Sequence, residues 1–116
     1  MSEFTIYHNP RCSKSRQTLQ LLQDNGVEPE IVLYLDNTPS TAQLDALLDK
    51  LGITARDLLR KGEGDYKALN LGDMSHSDAD IVAAMVSHPK LIERPIVVKG
   101  DRAVLGRPPE NVLALL

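Results

Sequence analysis

The strongest constraint on this chain lies in its first 35 residues, where the side-chain period changes twice. Phe4 to His8 alternate in type and carry β-formers, and Asn9-Pro10 stops them. A helix then starts near Cys12 or Ser13 and runs through Leu19 and Leu22 to Asn25, with Gly26 placed as its C-terminal stop. Ile31 to Leu35 is an unbroken apolar run, the pattern of a strand covered on both faces. Strand, helix and strand so closely spaced form a β-α-β unit, whose crossover is right-handed.

The rest of the chain adds helices and then a hairpin. Ser40 and Gln43 have capping-box spacing, and Leu44, Leu47, Leu48 and Leu51 recur at helical intervals before Gly52, so this apolar stripe is expected to lie on the sheet. Thr54 and Asp57 repeat the start signal for a short helix carrying Leu58 and Leu59, ending around Lys61-Gly62. A Gly-rich, charged stretch follows. Ser77 with Asp80 caps another helix, in which Ile81, Ala84 and Met85 make the buried face and Pro89 marks the end. Ile96 to Val98 and Ala103 to Leu105 flank Lys99-Gly100-Asp101-Arg102, a hairpin signal, and Pro108-Pro109 opens a last helix from Glu110 to Leu116. The expected architecture is α/β: a mixed four-stranded sheet built as β-α-β, helical insertion, β-hairpin and C-terminal helix. That is the plan of a thioredoxin-like fold, a single domain over residues 1–116 with the insertion at about 38–92. In that plan a proline precedes the third strand, so the Arg94-Pro95 bond is predicted to be cis, with Pro95 a structural residue.

Composition narrows the function. With 116 residues, 42% of them hydrophobic, one core forms without disulfides, and the single cysteine allows no disulfide framework. A net charge of −3 and only four aromatics, Phe4, Tyr7, Tyr34 and Tyr66, argue against nucleic-acid binding by phosphate neutralisation or base stacking. No window has the composition of a signal peptide or the roughly 20 apolar residues of a membrane span, so a cytoplasmic protein with one reduced thiol and no membrane partner is expected. His8, His76 and His88 lack zinc-ligand spacing, and no metal is expected.

Chemistry concentrates between His8 and Arg16. A cysteine at a helix start, directly after a strand, has free backbone N–H groups and the positive dipole end beside it, and Arg11, Lys14 and Arg16 add cations where no acid occurs between His8 and Gln23. These surroundings favour the thiolate and suit an oxyanion. Cys12-x-x-Ser15 keeps the gap of a dithiol motif without its resolving sulfur, so an oxidised or substrate-bonded Cys12 is resolved by a thiol from another molecule. Arg60, Arg94 and Arg107 each stand beside a structural punctuation mark that holds them in place.

These residues resemble a family, the glutaredoxin-coupled arsenate reductases, which also includes the Spx transcriptional regulators. The resemblance rests on Tyr7-His8-Asn9-Pro10-Arg11-Cys12 with Ser15-Arg16, Leu58-Leu59-Arg60-Lys61 with Tyr66 and Leu69, His88-Pro89, Arg94-Pro95-Ile96-Val97 and Gly106-Arg107-Pro108. It implies that Cys12 is the nucleophile, supported by His8, that Arg60, Arg94 and Arg107 converge with it on the arsenate oxygens, and that Ser15 is on the substrate side. It further implies glutathione as co-substrate, glutaredoxin as partner, a covalent Cys12-arsenic intermediate and no bound cofactor. Ser13-Lys14 replaces the Gly-Thr of the best-characterised members, adding charge at the anion-binding turn. Two other readings stand beside this one: an Spx-like regulator that binds RNA polymerase, and a monothiol glutaredoxin-like oxidoreductase.

Overall fold

In this computed structural model, residues 3–116 are described. They divide into two compact units, one made of the segment ending at Asn37 together with Arg94–Leu116, the other Thr38–Glu93.

The first unit is built on a four-stranded sheet. β1 is Phe4–Tyr7, β2 Glu30–Val32, β3 Ile96–Lys99 and β4 Arg102–Leu105, in the spatial order β2-β1-β3-β4. β1 pairs parallel with β2, as the connection through α1 (Ser13–Asp24) requires, and antiparallel with β3, which continues into β4 through a tight turn. Lys99 faces Arg102 across that turn, so two residues make the corner, and Gly100 supplies its positive φ of 58°. The architecture is the expected α/β, thioredoxin-like one. Its core joins Phe4 and Ile6 of β1, Leu22 of α1 and Val97 of β3 to Val112 and Leu115 of the closing segment.

Two expectations are corrected within this unit. The apolar run Ile31 to Leu35 is not a strand covered on both faces: β2 stops at Val32, forms the sheet's rim, and leaves Ile31 47% exposed. The backbone turns at Leu33, whose carbonyl accepts from Asp36 and Asn37, and only Tyr34 of the remaining run points inward. The inner face of α1 is Ser15, Thr18 and Leu22, with Leu19 only half-buried. The last helix is a 3₁₀ helix, Pro109–Leu115, and its buried residues Pro109, Val112 and Leu115 recur at every third position. Three residues per turn is the one winding that stacks that spacing on a single face.

The second unit is helical: α2 is Thr41–Leu51, α3 Gly64–Ala68 and α4 Asp78–Ser87. Both bonds of the capping box exist at Ser40 and Gln43 and again at Ser77 and Asp80, and Gly52 takes the left-handed conformation at the end of α2. The stripe Leu44, Leu47 and Leu48 is buried, and α2 packs with α4 inside this unit. The buried face of α4 is Ile81, Val82 and Met85, with Ala84 at its margin. Thr54 and Asp57 exchange the expected cap bonds, yet the turn they open is 3₁₀ and covers only Arg56–Leu58. It stops because the next backbone groups are taken across a bridge between Leu59 and Ile92. α3 lies inside the Gly-rich, charged stretch.

Candidate active site

The alternation of β1 continues one residue past its end. Phe4, Ile6 and His8 share the buried face, so His8 is carried beneath α1, where its Nδ1 lies 2.6 Å from Ser15 Oγ. The Ser15 hydroxyl also accepts the N–H of Asn9 at 3.1 Å. Burial, with the charge of Arg16 second, holds the His8 imidazole below its ordinary 6.5, so the neutral ring is favoured. Ser15 is fully buried, with its hydroxyl engaged by His8 and Asn9. Its place is between His8 and the β1-α1 turn.

That turn is tied at several points. Arg11 N–H donates to Asn9 Oδ1, Cys12 N–H to the Asn9 carbonyl, and Arg16 Nη1 to the Pro10 carbonyl. The product is a fixed entry into α1 with Cys12 at the N-cap, half-buried, its carbonyl accepting from Arg16 N–H. The Cys12 side chain makes no cap hydrogen bond, and the first turn holds no acid. The leading N–H groups of an α-helix have no partner inside the helix, so this end of α1 offers donors and positive potential to an anion. Beside the turn, a cleft of about 350 Å³ is lined by His8, Asn9, Pro10, Arg11, Leu33, Leu35 and Asp36.

Two of the three arginines meet in the same unit. The Arg94-Pro95 bond is cis, as predicted; so is Arg107-Pro108, which the sequence reading did not include. Arg107 Nη1 donates to the Arg94 carbonyl at 3.4 Å, while Nε and Nη1 of Arg94 are shielded from solvent. What places this pair is Gly106. Its N–H donates to the Pro95 carbonyl, and its own carbonyl lies 3.2 Å from the Thr18 hydroxyl on the inner face of α1. A β-carbon at residue 106 would stand 2.6 Å from Thr18 Oγ1 and 2.7 Å from Pro95 Cγ, so only glycine allows this approach. The helix that presents Cys12 is thereby packed against the segment that carries Arg107 and against the ring that follows Arg94.

Arg60 belongs to the second unit. Its N–H donates to the Leu91 carbonyl, its Nη1 contacts Glu63 Oε1 at 2.6 Å, and its Nε lies 3.5 Å from Glu93 Oε1. Thr18, Glu63 and Glu93 were not singled out by the sequence pattern, and Gly106 only as part of Gly106-Arg107-Pro108. For Thr18 the signal was present, since it stands three residues after Ser15 and four before Leu22 on one helical stripe. Glu63 too stands at a local i, i+3 spacing from Arg60, whereas the partners of Gly106 and Glu93 come from distant sequence.

Among the described residues, no group of three or more His, Cys, Asp or Glu could hold a metal ion, and no helix is long and apolar enough to cross a membrane. A model of the ArsC family matches residues 7–115, nearly the whole length over which this site is built. The chain belongs to the ArsC family. Over 112 residues it is 57% identical to the uncharacterized protein YfgD of Escherichia coli (strain K12), covering 96% of this chain and 94% of that one. It is 49% identical to an arsenate reductase of Haemophilus influenzae over 112 residues, with 96% and 97% covered. The solved structure of an arsenate reductase from Vibrio cholerae superposes with a TM-score of 0.95 at 52% identity, covering 97% of each chain. The match to the ArsC family spans the sheet, the helical segment and the positions of Cys12, Arg60, Arg94 and Arg107.

Proposed function

We propose that this protein is an arsenate reductase that draws its second and third thiols from outside, glutathione as co-substrate and glutaredoxin as partner, with no bound cofactor and a cytoplasmic location. The observation that carries the reading is the chain's one thiol, Cys12, held at the N-cap of α1 with no acid in the first turn. The Arg94–Arg107 pair and the relatives named as arsenate reductases support it. The Cys12 thiolate attacks arsenic and one oxygen leaves as water, with Arg94, Arg107 and Arg60 compensating charge on the remaining oxygens. Neutral His8, held by Ser15, is the proton acceptor beside the thiol. Glutathione then forms a second sulfur-arsenic bond, displacing another water. A glutaredoxin thiolate attacks the glutathione sulfur, and the electron pair of the breaking bond stays on arsenic, which becomes trivalent. The oxidised product is the glutaredoxin-glutathione mixed disulfide. Water finally splits the Cys12-arsenic bond, giving arsenite and the free thiol.

The test is arsenate-dependent NADPH oxidation in the presence of glutathione, glutathione reductase and glutaredoxin. Turnover that requires all three and disappears in Cys12→Ser supports the proposal. No arsenate-dependent turnover in the wild type, or turnover that survives Cys12→Ser, removes it.

A further inference from the structure

Arg60 does not stand alone. The bridge between Leu59 and Ile92 is flanked by two 2.8 Å backbone bonds, Arg60 N–H to the Leu91 carbonyl and Glu93 N–H to the Leu58 carbonyl, which set Arg60 and Glu93 on paired segments. Glu63 N–H donates to the Arg60 carbonyl and closes the turn, so Glu63 Oε1 reaches Nη1 at 2.6 Å while Glu93 Oε1 faces Nε at 3.5 Å. The three side chains are each only about a quarter exposed, which limits screening by water. One guanidinium is therefore outnumbered by the two carboxylates it touches.

We infer that Glu63 makes the Arg60 position selective for oxyanions that still carry a proton, arsenate and phosphate, over fully deprotonated sulfate. The inference rests on the reading that Arg60 takes an oxyanion oxygen. Nη1 has a second N–H, and two acceptors sharing one such nitrogen at ordinary hydrogen-bond length stand within about 5 Å of each other. An ionised carboxylate only accepts. A bare oxygen brought to Arg60 thus confronts Glu63 acceptor to acceptor, with like charges and no hydrogen between them. An O–H on the same anion instead donates to Glu63 and turns the repulsion into a bond. Arsenate and phosphate keep at least one O–H near neutral pH, and sulfate keeps none. Specificity here comes from a repulsive element placed beside an attractive one.

Calorimetric titration of the full chain with phosphate and with sulfate, at equal ionic strength and neutral pH, tests this. Wild type is expected to bind phosphate at least tenfold more tightly than sulfate. Glu63→Gln, which keeps an oxygen for Arg60 and adds a donor, is expected to reduce that ratio at least fivefold by gaining affinity for sulfate, while Glu63→Asp keeps the preference. Equal binding of the two anions by wild type, or an unchanged ratio in Glu63→Gln, overturns the inference and leaves the reductase reading intact. If wild type binds neither anion, or Arg60→Ala binds phosphate as wild type does, the assignment of Arg60 to an oxyanion falls and the inference falls with it.

Discussion

Replacing Gly106 by alanine probes the contact that places Arg107. The backbone of Gly106 does not need the left-handed region, so alanine's intrinsic conformational preference is not the obstacle. The obstacle is space: the new methyl would lie 2.6 and 2.8 Å from Thr18 Oγ1 and Cγ2 and 2.7 Å from Pro95 Cγ. Neither neighbour can swing aside, because Thr18 is fully buried and the Pro95 ring is closed and buried. Overpacking of this kind costs about 1–3 kcal/mol. With an unfolding entropy of roughly 2 cal/mol/K per residue over 116 residues, each kcal/mol moves Tm by about 4 °C, so Gly106→Ala should melt about 4–12 °C below wild type. Relief requires the end of β4 to retreat from α1, which carries Arg107 with it, so arsenate turnover should also fall. Gly62→Ala is the control, since nothing lies within 4 Å of its would-be methyl. Thermal unfolding followed by circular dichroism gives the comparison. A Gly106→Ala protein that melts within about 2 °C of wild type would refute the steric argument.

Two further outcomes are expected. Because His8 titrates below 6.5 when folded, the unfolded chain takes up its proton first as pH falls. Stability is then complete above 6.5 and is lost below it, and His8→Gln should flatten that part of the profile in urea unfolding between pH 7.5 and 5.5; an unaltered slope counts against the buried neutral ring. Ser40→Ala removes the acceptor of Gln43 N–H and should destabilise α2 by about 1 kcal/mol, seen as faster amide exchange in its first turn. Exchange identical to wild type would mean the cap bond contributes nothing.

Local rules recovered what local chemistry decides. The capping boxes at Ser40 and Ser77, the stop at Gly52 and the hairpin corner at Gly100 each depend on residues within a few positions, and each lies where pattern places it. The failures share a different cause. Ser15 and Thr18 look like surface residues of α1, but they are buried because His8, Asn9 and Gly106 supply polar partners. An apolar run such as Ile31 to Leu35 carries no mark of which strand becomes the rim of a sheet; pairing with β1 on one side only decided it. The closing segment did carry its own clue, a spacing of three through Pro109, Val112 and Leu115, which a helix with 3.6 residues per turn cannot keep on one face. At the site, Cys12 was legible from its place before α1, and Glu63 carried a local signal in its i, i+3 spacing to Arg60, whereas Glu93 carried none, since only the bridge between Leu59 and Ile92 brings it to Arg60.

The rim strand β2 has a consequence for how molecules of this protein meet one another. A terminal strand presents unpaired backbone along its outer side, a template on which a second chain can add a strand and begin an aggregate. Here the template is three residues long, Glu30–Val32, and Pro29 just before it has no N–H to offer. Glu28 and Glu30, both exposed, put negative charge at the same end, so identical molecules approaching edge to edge repel. The exposed Ile31 can therefore be tolerated: the strand is too short and too charged at its start to nucleate a continuous intermolecular sheet.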